Sequence, residues 1–188
     1  LYLKRLRNQL NLKIFLDIDE DLRVFWKTRR DSLERGHSQS GVALALAQRQ
    51  PDSHRFIRSQ AQYADLIFKL APVNPFSLEE LSDSPRLKLF VHMENGFFHE
   101  DLVHSLVALC GMHVDVEQSE HLDFINLCIE GEADQDDIAE IARLLVPNLN
   151  DLVVQHPLWS GGYTGLMQVL VLAHISDRLH RGGIYRNA

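Results

Sequence analysis

Four charged side chains between residues 27 and 35 have the types and the spacing for phosphate chemistry. At about 100° per residue of helix, Lys27, Arg30, Asp31 and Arg35 fall within about 140° of one helical face. Arginine can grip a phosphate through two hydrogen bonds, and lysine provides a mobile point charge. A carboxylate among these cations can orient an attacking hydroxyl or take its proton. The pattern fits phosphoryl transfer, which depends on positioning and on neutralising charge, but it also fits a solvated face with i,i+4 ion pairs.

The helix that would present this face has a clear predicted start and end. Asp19 is a candidate N-cap, and the helix is expected to run to about Arg35 and to end at Gly36. Arg29 projects toward the apolar side and is therefore left out of the site. The side chains expected to pack on the core from the opposite face are Leu22, Phe25, Trp26 and Leu33.

Strands and helices alternate along the rest of the chain, which predicts the α/β fold class. Strands are expected at residues 12–16, 63–70, 87–92, 113–118 and 122–130, and further helices at 40–50, 55–62, 100–110, 134–145 and 166–181. A proline-rich stretch is predicted to be a linker or loop at residues 73–86. It would separate a core at residues 1–72 from an α+β C-terminal segment at residues 87–188.

Composition excludes several classes of protein. The 188 residues carry a formal net charge of −7, which argues against a nucleic-acid or anionic-membrane binder. Of the 19 Lys and Arg residues, 13 lie in residues 1–85, so the first part is the one suited to an anion. Two cysteines, Cys110 and Cys128, exclude a disulfide scaffold and indicate the cytoplasm or another reducing compartment. The ten histidines are scattered, and no metal site is expected.

Residues 13–38, KIFLDIDEDLRVFWKTRRDSLERGHS, resemble the phosphoribulokinase/uridine kinase family of P-loop kinases. The strand ending at Asp17, the K-x-x-R-D-x-x-x-R-G motif and the Gln-Tyr-Ala-Asp segment at residues 62–65 occur in the family's order and at similar spacing. The motif's Arg-Gly-His-Ser ending resembles phosphoribulokinase more than uridine kinase, which usually has a second arginine after the glycine. Residues 121–181 resemble the plant and cyanobacterial phosphoribulokinases more weakly.

The resemblance implies the C-terminal part of a P-loop-kinase-type sheet with flanking helices, followed by an α+β segment. It implies transfer of the γ-phosphoryl of ATP, with Mg²⁺, to a primary hydroxyl of ribulose 5-phosphate or a similar substrate. In that activity Lys27 and Arg30 would lie near the transferring phosphoryl and Asp31 would serve catalysis. Arg35 would bind the sugar phosphate.

One motif of such a kinase is absent. The sequence contains no Gly-Lys pair and therefore no G-x-x-x-x-G-K-[ST] loop for ATP phosphates, so its nucleotide-binding residues are unknown. We therefore expect the C-terminal portion of a longer kinase, with the N-terminal kinase half missing and a second copy of the chain as a candidate partner. Two alternatives stay open: a non-catalytic dimerisation or regulatory module derived from the family, and a uridine-kinase-like nucleoside kinase.

Overall fold

The fold is mixed α/β, with helices flanking a five-stranded sheet in the order β1-β2-β3-β5-β4. The computed structural model describes residues 1–78, 83–94, 99–119, 123–155 and 157–181. The strands are β1 (Ile14–Ile18), β2 (Leu66–Pro72), β3 (Leu87–Glu94), β4 (His113–Gln118) and β5 (Phe124–Glu130). The α-helices are α1 (Lys4–Arg7), α2 (Glu20–Leu33), α3 (Gln39–Asp52), α4 (His99–Ala108), α5 (Gln135–Leu145), α6 (Leu149–Leu152) and α7 (Gly162–Arg181).

The predicted α/β class is confirmed, and the predicted strands and helices match observed elements to within a few residues at most ends. The chain divides into two compact units, Leu1–His92 and Met93–Ala188. The linker proposed at residues 73–86 stays a prediction. Within the described residues no helix has the length and apolar character needed to cross a membrane.

Helix α3 extends beyond its predicted end. It was expected to end before Pro51 but runs to Asp52, with the proline in its last turn. A π-helical turn, Ser53–Ile57, and a 3₁₀ turn, Arg58–Tyr63, follow at once. Proline lacks the N–H that an α-helix needs, so the regular hydrogen-bond pattern ends just after it although the chain keeps coiling.

The first unit is built on the parallel pair β1 and β2, in register from Ile14 opposite Leu66 to Ile18 opposite Leu70. At the start of the pair, Oδ2 of Asp65 accepts hydrogen bonds from the backbone N and from Nζ of Lys13, each at 2.8 Å. The aspartate of the Gln-Tyr-Ala-Asp segment therefore fixes the strand register. At the other end the Asp19 backbone N–H donates to the Leu70 carbonyl at 2.8 Å.

Asp19 is the N-cap of α2, as predicted. Its Oδ1 accepts from the backbone N–H groups of Asp21 and Leu22, which have no partner inside the helix. Capping at this position begins the helix directly after β1, at the carboxyl end of the parallel pair.

The buried face of α2 differs from the predicted one. Leu22 and Phe25 are fully buried as expected, but Leu33 is 67% exposed and Trp26 is only half-buried. Thr28 is buried instead. The buried face of α2 therefore includes Thr28 and leaves out Leu33.

The second unit has an antiparallel pair, β4 and β5, covered by helices. The alternating residues Ile125, Leu127 and Ile129 of β5 are fully buried. Gly165, in the first turn of α7, is explained by packing, because a Cβ at this position would lie 2.0 Å from the Ser160 carbonyl oxygen. The Ser160 backbone N–H donates to the Gln168 side chain, so the turn does not offer that N–H group to an anion.

Candidate functional site

The structure brings all four predicted site residues into one pocket. An open pocket of about 420 Å³ lies between α2 and α3, and we call it the α2–α3 pocket. Residues from the C-terminal half of α2, from the turn after it and from α3 line it. They are Lys27, Arg30, Asp31, Arg35, His37, Ser38, Gly41, Val42, Ala45 and Arg49.

Asp31 holds the centre of the pocket. Its Oδ1 accepts a hydrogen bond from Nε of Arg30 at 3.0 Å and one from Nη1 of Arg35 at 3.3 Å. The Asp31 side chain is only 10% exposed, whereas those of Arg30 and Arg35 are 48% and 56% exposed. The carboxylate therefore lies at the base of the pocket. It orients two guanidinium groups that extend toward solvent.

These contacts set the charge state of the carboxylate. The hydrogen bond from Arg30 holds the pKa of Asp31 below its usual value of 3.8, against the opposing effect of desolvation. The positive charges of Arg30, Arg35 and Lys27 act in the same direction. Asp31 is therefore ionised at neutral pH, and a carboxylate of such low basicity is better suited to orienting arginines than to accepting a proton.

Lys27 and Arg29 occupy different environments although they are two residues apart. Lys27 lines the pocket and is half-buried. Arg29 does not line it, and Nη1 of Arg29 donates to Oγ of Ser84 at 2.7 Å. Arg29 thus lies outside the α2–α3 pocket, and its exclusion from a functional site stays a prediction.

The Arg-Gly-His-Ser ending of the motif forms the turn that returns the chain along the pocket. Gly36 has φ of 68°, a left-handed conformation that glycine adopts without strain. The His37 backbone N–H then donates to the Asp31 carbonyl at 2.9 Å. Ser38 caps α3, with its Oγ accepting from the Gly41 N–H at 3.2 Å. The same residues that resemble the family motif therefore shape the pocket.

Arg49 lines the pocket but was not predicted from the sequence. The available signal is its spacing, since Gly41, Ala45 and Arg49 recur every four residues and share one face of α3. The two small residues leave room in front of that face. A Cβ on Gly41 would already come within 3.0 Å of Ser38 Oγ.

Glu20, the first residue of α2, has structural partners. Glu20 forms ion pairs with Arg23 and with Arg58, which tie the start of α2 to the 3₁₀ turn. The hydrogen bond from Arg23 is the main cause that lowers the pKa of Glu20 below 4.5. The part of the chain that the structure describes contains no group of three or more side chains placed to hold a metal ion.

Comparison with known proteins matches residues 1–77 to the model of the phosphoribulokinase/uridine kinase family. Residues 1–77 are therefore similar to this kinase family. The resemblance seen in residues 13–65 is thereby confirmed, and the pocket lies within the matched region. Residues 121–181 lie outside the family match, so their weaker resemblance stays a prediction.

The relatives that this chain matches include proteins named phosphoribulokinase and proteins named uridine kinase. The chain is 33% identical over 99 residues to the chloroplastic phosphoribulokinase of Triticum aestivum, covering 53% of this chain and 24% of the wheat protein. It is 36% identical over 96 residues to the phosphoribulokinase of Synechocystis sp., covering 51% and 28%. It is 36% identical over 80 residues to a uridine kinase of Streptococcus pneumoniae, covering 42% and 38%. The matched part thus spans well under half the length of each of these relatives.

The residues of this chain do not fit a nucleotide-binding loop. Such a loop requires a Gly-Lys pair, and the whole sequence contains none. The cations of the α2–α3 pocket lie on helical side chains, whereas a P-loop cradles phosphates mainly with backbone N–H groups. The α2–α3 pocket therefore offers side-chain cations and not a backbone phosphate loop.

Proposed function

We propose that this chain forms the substrate-binding part of a sugar-phosphate kinase of the phosphoribulokinase type. Such an enzyme transfers the γ-phosphoryl of ATP to a primary hydroxyl of ribulose 5-phosphate or a similar substrate. The observation that carries the proposal is the α2–α3 pocket, which is lined by four cations and by one ionised carboxylate. A phosphorylated sugar offers the charge that this pocket complements.

Each pocket residue has a role that its position supports. Arg35, at the turn end of the pocket, binds the phosphate that the substrate already carries. Lys27 and Arg30 neutralise the charge of the transferring phosphoryl group. Asp31 holds both arginines in place through its hydrogen bonds. These roles use electrostatics and positioning, which are the main sources of catalysis in phosphoryl transfer.

ATP and Mg²⁺ would be held by a nucleotide-binding loop outside this sequence. When bound there, ATP supplies the phosphoryl group that the substrate hydroxyl receives. The chain's own contribution is to bind the sugar phosphate, to align its hydroxyl and to offset negative charge. A reducing compartment such as the cytoplasm suits the two free cysteines.

The principal alternative is a nucleoside kinase related to the uridine kinases. The similarity to the Streptococcus pneumoniae protein supports it as directly as the similarity to phosphoribulokinases does. The charge of the pocket favours the sugar phosphate, because an uncharged nucleoside cannot form the charge-assisted hydrogen bonds that a phosphate forms with these cations. His37, which lines the pocket, also takes the place of the second arginine usual in uridine kinases.

The proposal is tested by assaying the full-length protein with ATP and each of several acceptors. Ribulose 5-phosphate, ribose 5-phosphate and uridine cover the competing substrates. We expect turnover with a pentose phosphate and at least about tenfold lower kcat/KM with uridine, because uridine lacks the phosphate that would form charge-assisted hydrogen bonds with the pocket arginines. Turnover with uridine alone would favour the nucleoside kinase. No turnover with any acceptor would favour the non-catalytic module.

A pair of variants shows whether the α2–α3 pocket performs that reaction. Lys27→Ala removes a pocket cation, and Arg5→Ala removes an exposed cation of α1 that lies outside the pocket. We expect a large loss of kcat for the first variant and none for the second. Equal kcat values for the two variants would place the reaction elsewhere.

A further inference from the structure

The segment that joins β2 to β3, residues 73–86, carries a serine that contacts α2, and we call it the β2–β3 segment. Ser84 is exposed and lies outside any helix or strand. Nη1 of Arg29 donates a hydrogen bond to Oγ of Ser84 at 2.7 Å, although the two residues are 55 positions apart in the chain. Both residues lie in the first unit. The contact therefore links the β2–β3 segment to a residue of α2 that does not line the α2–α3 pocket.

Two further contacts fix the β2–β3 segment. Where it begins and ends, the Val73 backbone N–H donates to the Arg86 carbonyl at 2.8 Å. Within it, the ring of Phe76 packs edge-on against Phe25 of α2, with 5.3 Å between the ring centroids. Phe25 is fully buried, so this contact belongs to the core of the first unit. The segment is therefore held at its ends and on α2, and Ser84 is presented to solvent from a defined position.

The residue after Ser84 distinguishes it from the other hydroxyl side chains. Pro85 follows it, and no other serine or threonine of the 188 residues precedes a proline. Proline disfavours the α-helical conformation in the residue before it and favours an extended one. Proline-directed protein kinases act on exposed serine or threonine residues that precede a proline in an extended segment. Ser84 meets each of these requirements.

Arg29 is placed to receive a phosphate on that hydroxyl. Its contact with Ser84 is a bond to a neutral oxygen, and it forms no ion pair with any residue that the structure describes. Phosphorylation would place a charge of about −1.5 to −2 and three acceptor oxygens beside the same guanidinium. Guanidinium groups bind phosphate through two parallel charge-assisted hydrogen bonds. A neutral contact would thus be replaced, in place, by a much stronger one.

We propose that Ser84 is a phosphorylation site and that Arg29 binds the phosphate placed there. The donor is ATP, and the catalyst is a proline-directed protein kinase. The bond between the γ-phosphorus and the β–γ bridging oxygen breaks, a bond from that phosphorus to Oγ of Ser84 forms, the hydroxyl proton passes to a base of the protein kinase, and ADP leaves. The modified residue then holds the β2–β3 segment to α2 by an ion pair. This regulation goes beyond the proposed function and does not depend on it.

The first test is phosphorylation of the full 188-residue chain with ATP and a proline-directed protein kinase, followed by mass spectrometry. We expect one phosphate per chain, located on Ser84, and none in Ser84→Ala. No incorporation into the native chain, or equal incorporation into Ser84→Ala, overturns the phosphorylation site.

The second test is a phosphorus-31 nuclear magnetic resonance titration of the phosphorylated chain. A guanidinium about 4 Å away favours the phosphate dianion, so the second ionisation should have a midpoint about 0.5 pH unit lower than in phosphorylated Arg29→Gln after partial screening by salt. Arg29→Lys, which keeps the charge, should retain part of the difference. Arg5→Gln, which removes an exposed cation of α1, should keep the native midpoint.

A phosphopeptide of residues 83–88 supplies a reference that needs no folded variant. It contains the modified serine and its neighbours in sequence but not Arg29. We expect it to titrate like phosphorylated Arg29→Gln. Equal midpoints in the native chain and in the phosphopeptide overturn the binding of the phosphate by Arg29, whatever the outcome of the labelling experiment.

Discussion

Removing the Asp31 carboxylate tests how the pocket arranges its cations. In the proposed enzyme the carboxylate works through the guanidinium groups of Arg30 and Arg35, to which it is bonded at 3.0 and 3.3 Å. Asp31→Ala deletes both bonds and the charge. Asp31→Asn deletes the charge but keeps an oxygen that can accept one of the hydrogen bonds.

The expected magnitude follows from two opposing effects. A phosphate bonded to Arg35 would lie about 6 Å from the carboxylate, since a hydrogen bond of about 2.9 Å adds to the 3.3 Å contact. At that distance in water, removing one unit charge would strengthen the binding of a phosphate dianion by about tenfold. Misplacing the two arginines acts in the opposite direction, and displacement of catalytic groups by about 1 Å lowers turnover by about 10²-fold.

We therefore expect Asp31→Ala in the full-length enzyme to lower kcat by at least about 10²-fold, with a change of less than about tenfold in KM for the sugar phosphate. Asp31→Asn should recover part of kcat, because its amide oxygen can still orient an arginine. Steady-state kinetics with saturating ATP measure both constants. Glu34→Gln is the matched control, since it removes an exposed carboxylate outside the pocket.

Two results would refute this reasoning. A kcat near the native value in Asp31→Ala would show that the carboxylate does not arrange the site. Equal kcat losses in Asp31→Ala and Asp31→Asn would show that the carboxylate acts as a base, because neither replacement can take a proton.

Three further predictions follow from individual contacts. Arg35→Ala should raise KM for the phosphorylated substrate with a smaller change in kcat, and an unchanged KM would remove Arg35 from the site. The lowered pKa of Glu20 means that its contribution to stability is present above pH 4.5 and is lost as the pH falls through the lower folded-state pKa. Glu20→Gln should therefore lower the thermal unfolding midpoint at pH 7, and the difference should shrink below pH 4.5. Burial, with the nearby carboxylates Asp137 and Asp134, raises the pKa of Cys110 above 9.0, so iodoacetamide at pH 8 should modify it more slowly in the folded chain than in urea.

Local features of the fold were predictable from the sequence. Asp19 caps α2 because a short acceptor side chain precedes the helix, and Gly36 follows it because the turn needs a left-handed residue. The shared position of Lys27, Asp31 and Arg35 follows from helical periodicity alone. Each of these features depends on residues only a few positions apart, so it can be predicted from the local sequence.

Features that depend on tertiary packing were not predictable in the same way. Periodicity placed Leu33 in the core, but in the structure Thr28 is buried and Leu33 is exposed. Arg49 joins the pocket only because α3 folds back on α2, a contact between residues far apart in the sequence. The pairing of Asp65 with Lys13 likewise spans 52 residues. Hydrophobic patterns show that a face is buried but not which element covers it.

The central claim is that the α2–α3 pocket is a phosphate site, and a nuclear magnetic resonance titration of this 21.6 kDa chain with ribulose 5-phosphate tests it most directly. The account predicts saturable shifts of the backbone amides of His37, Ser38 and Gly41 and of the Nε–H signals of Arg30 and Arg35. Shifts confined to residues outside the pocket, or no shifts at millimolar ligand, would contradict it.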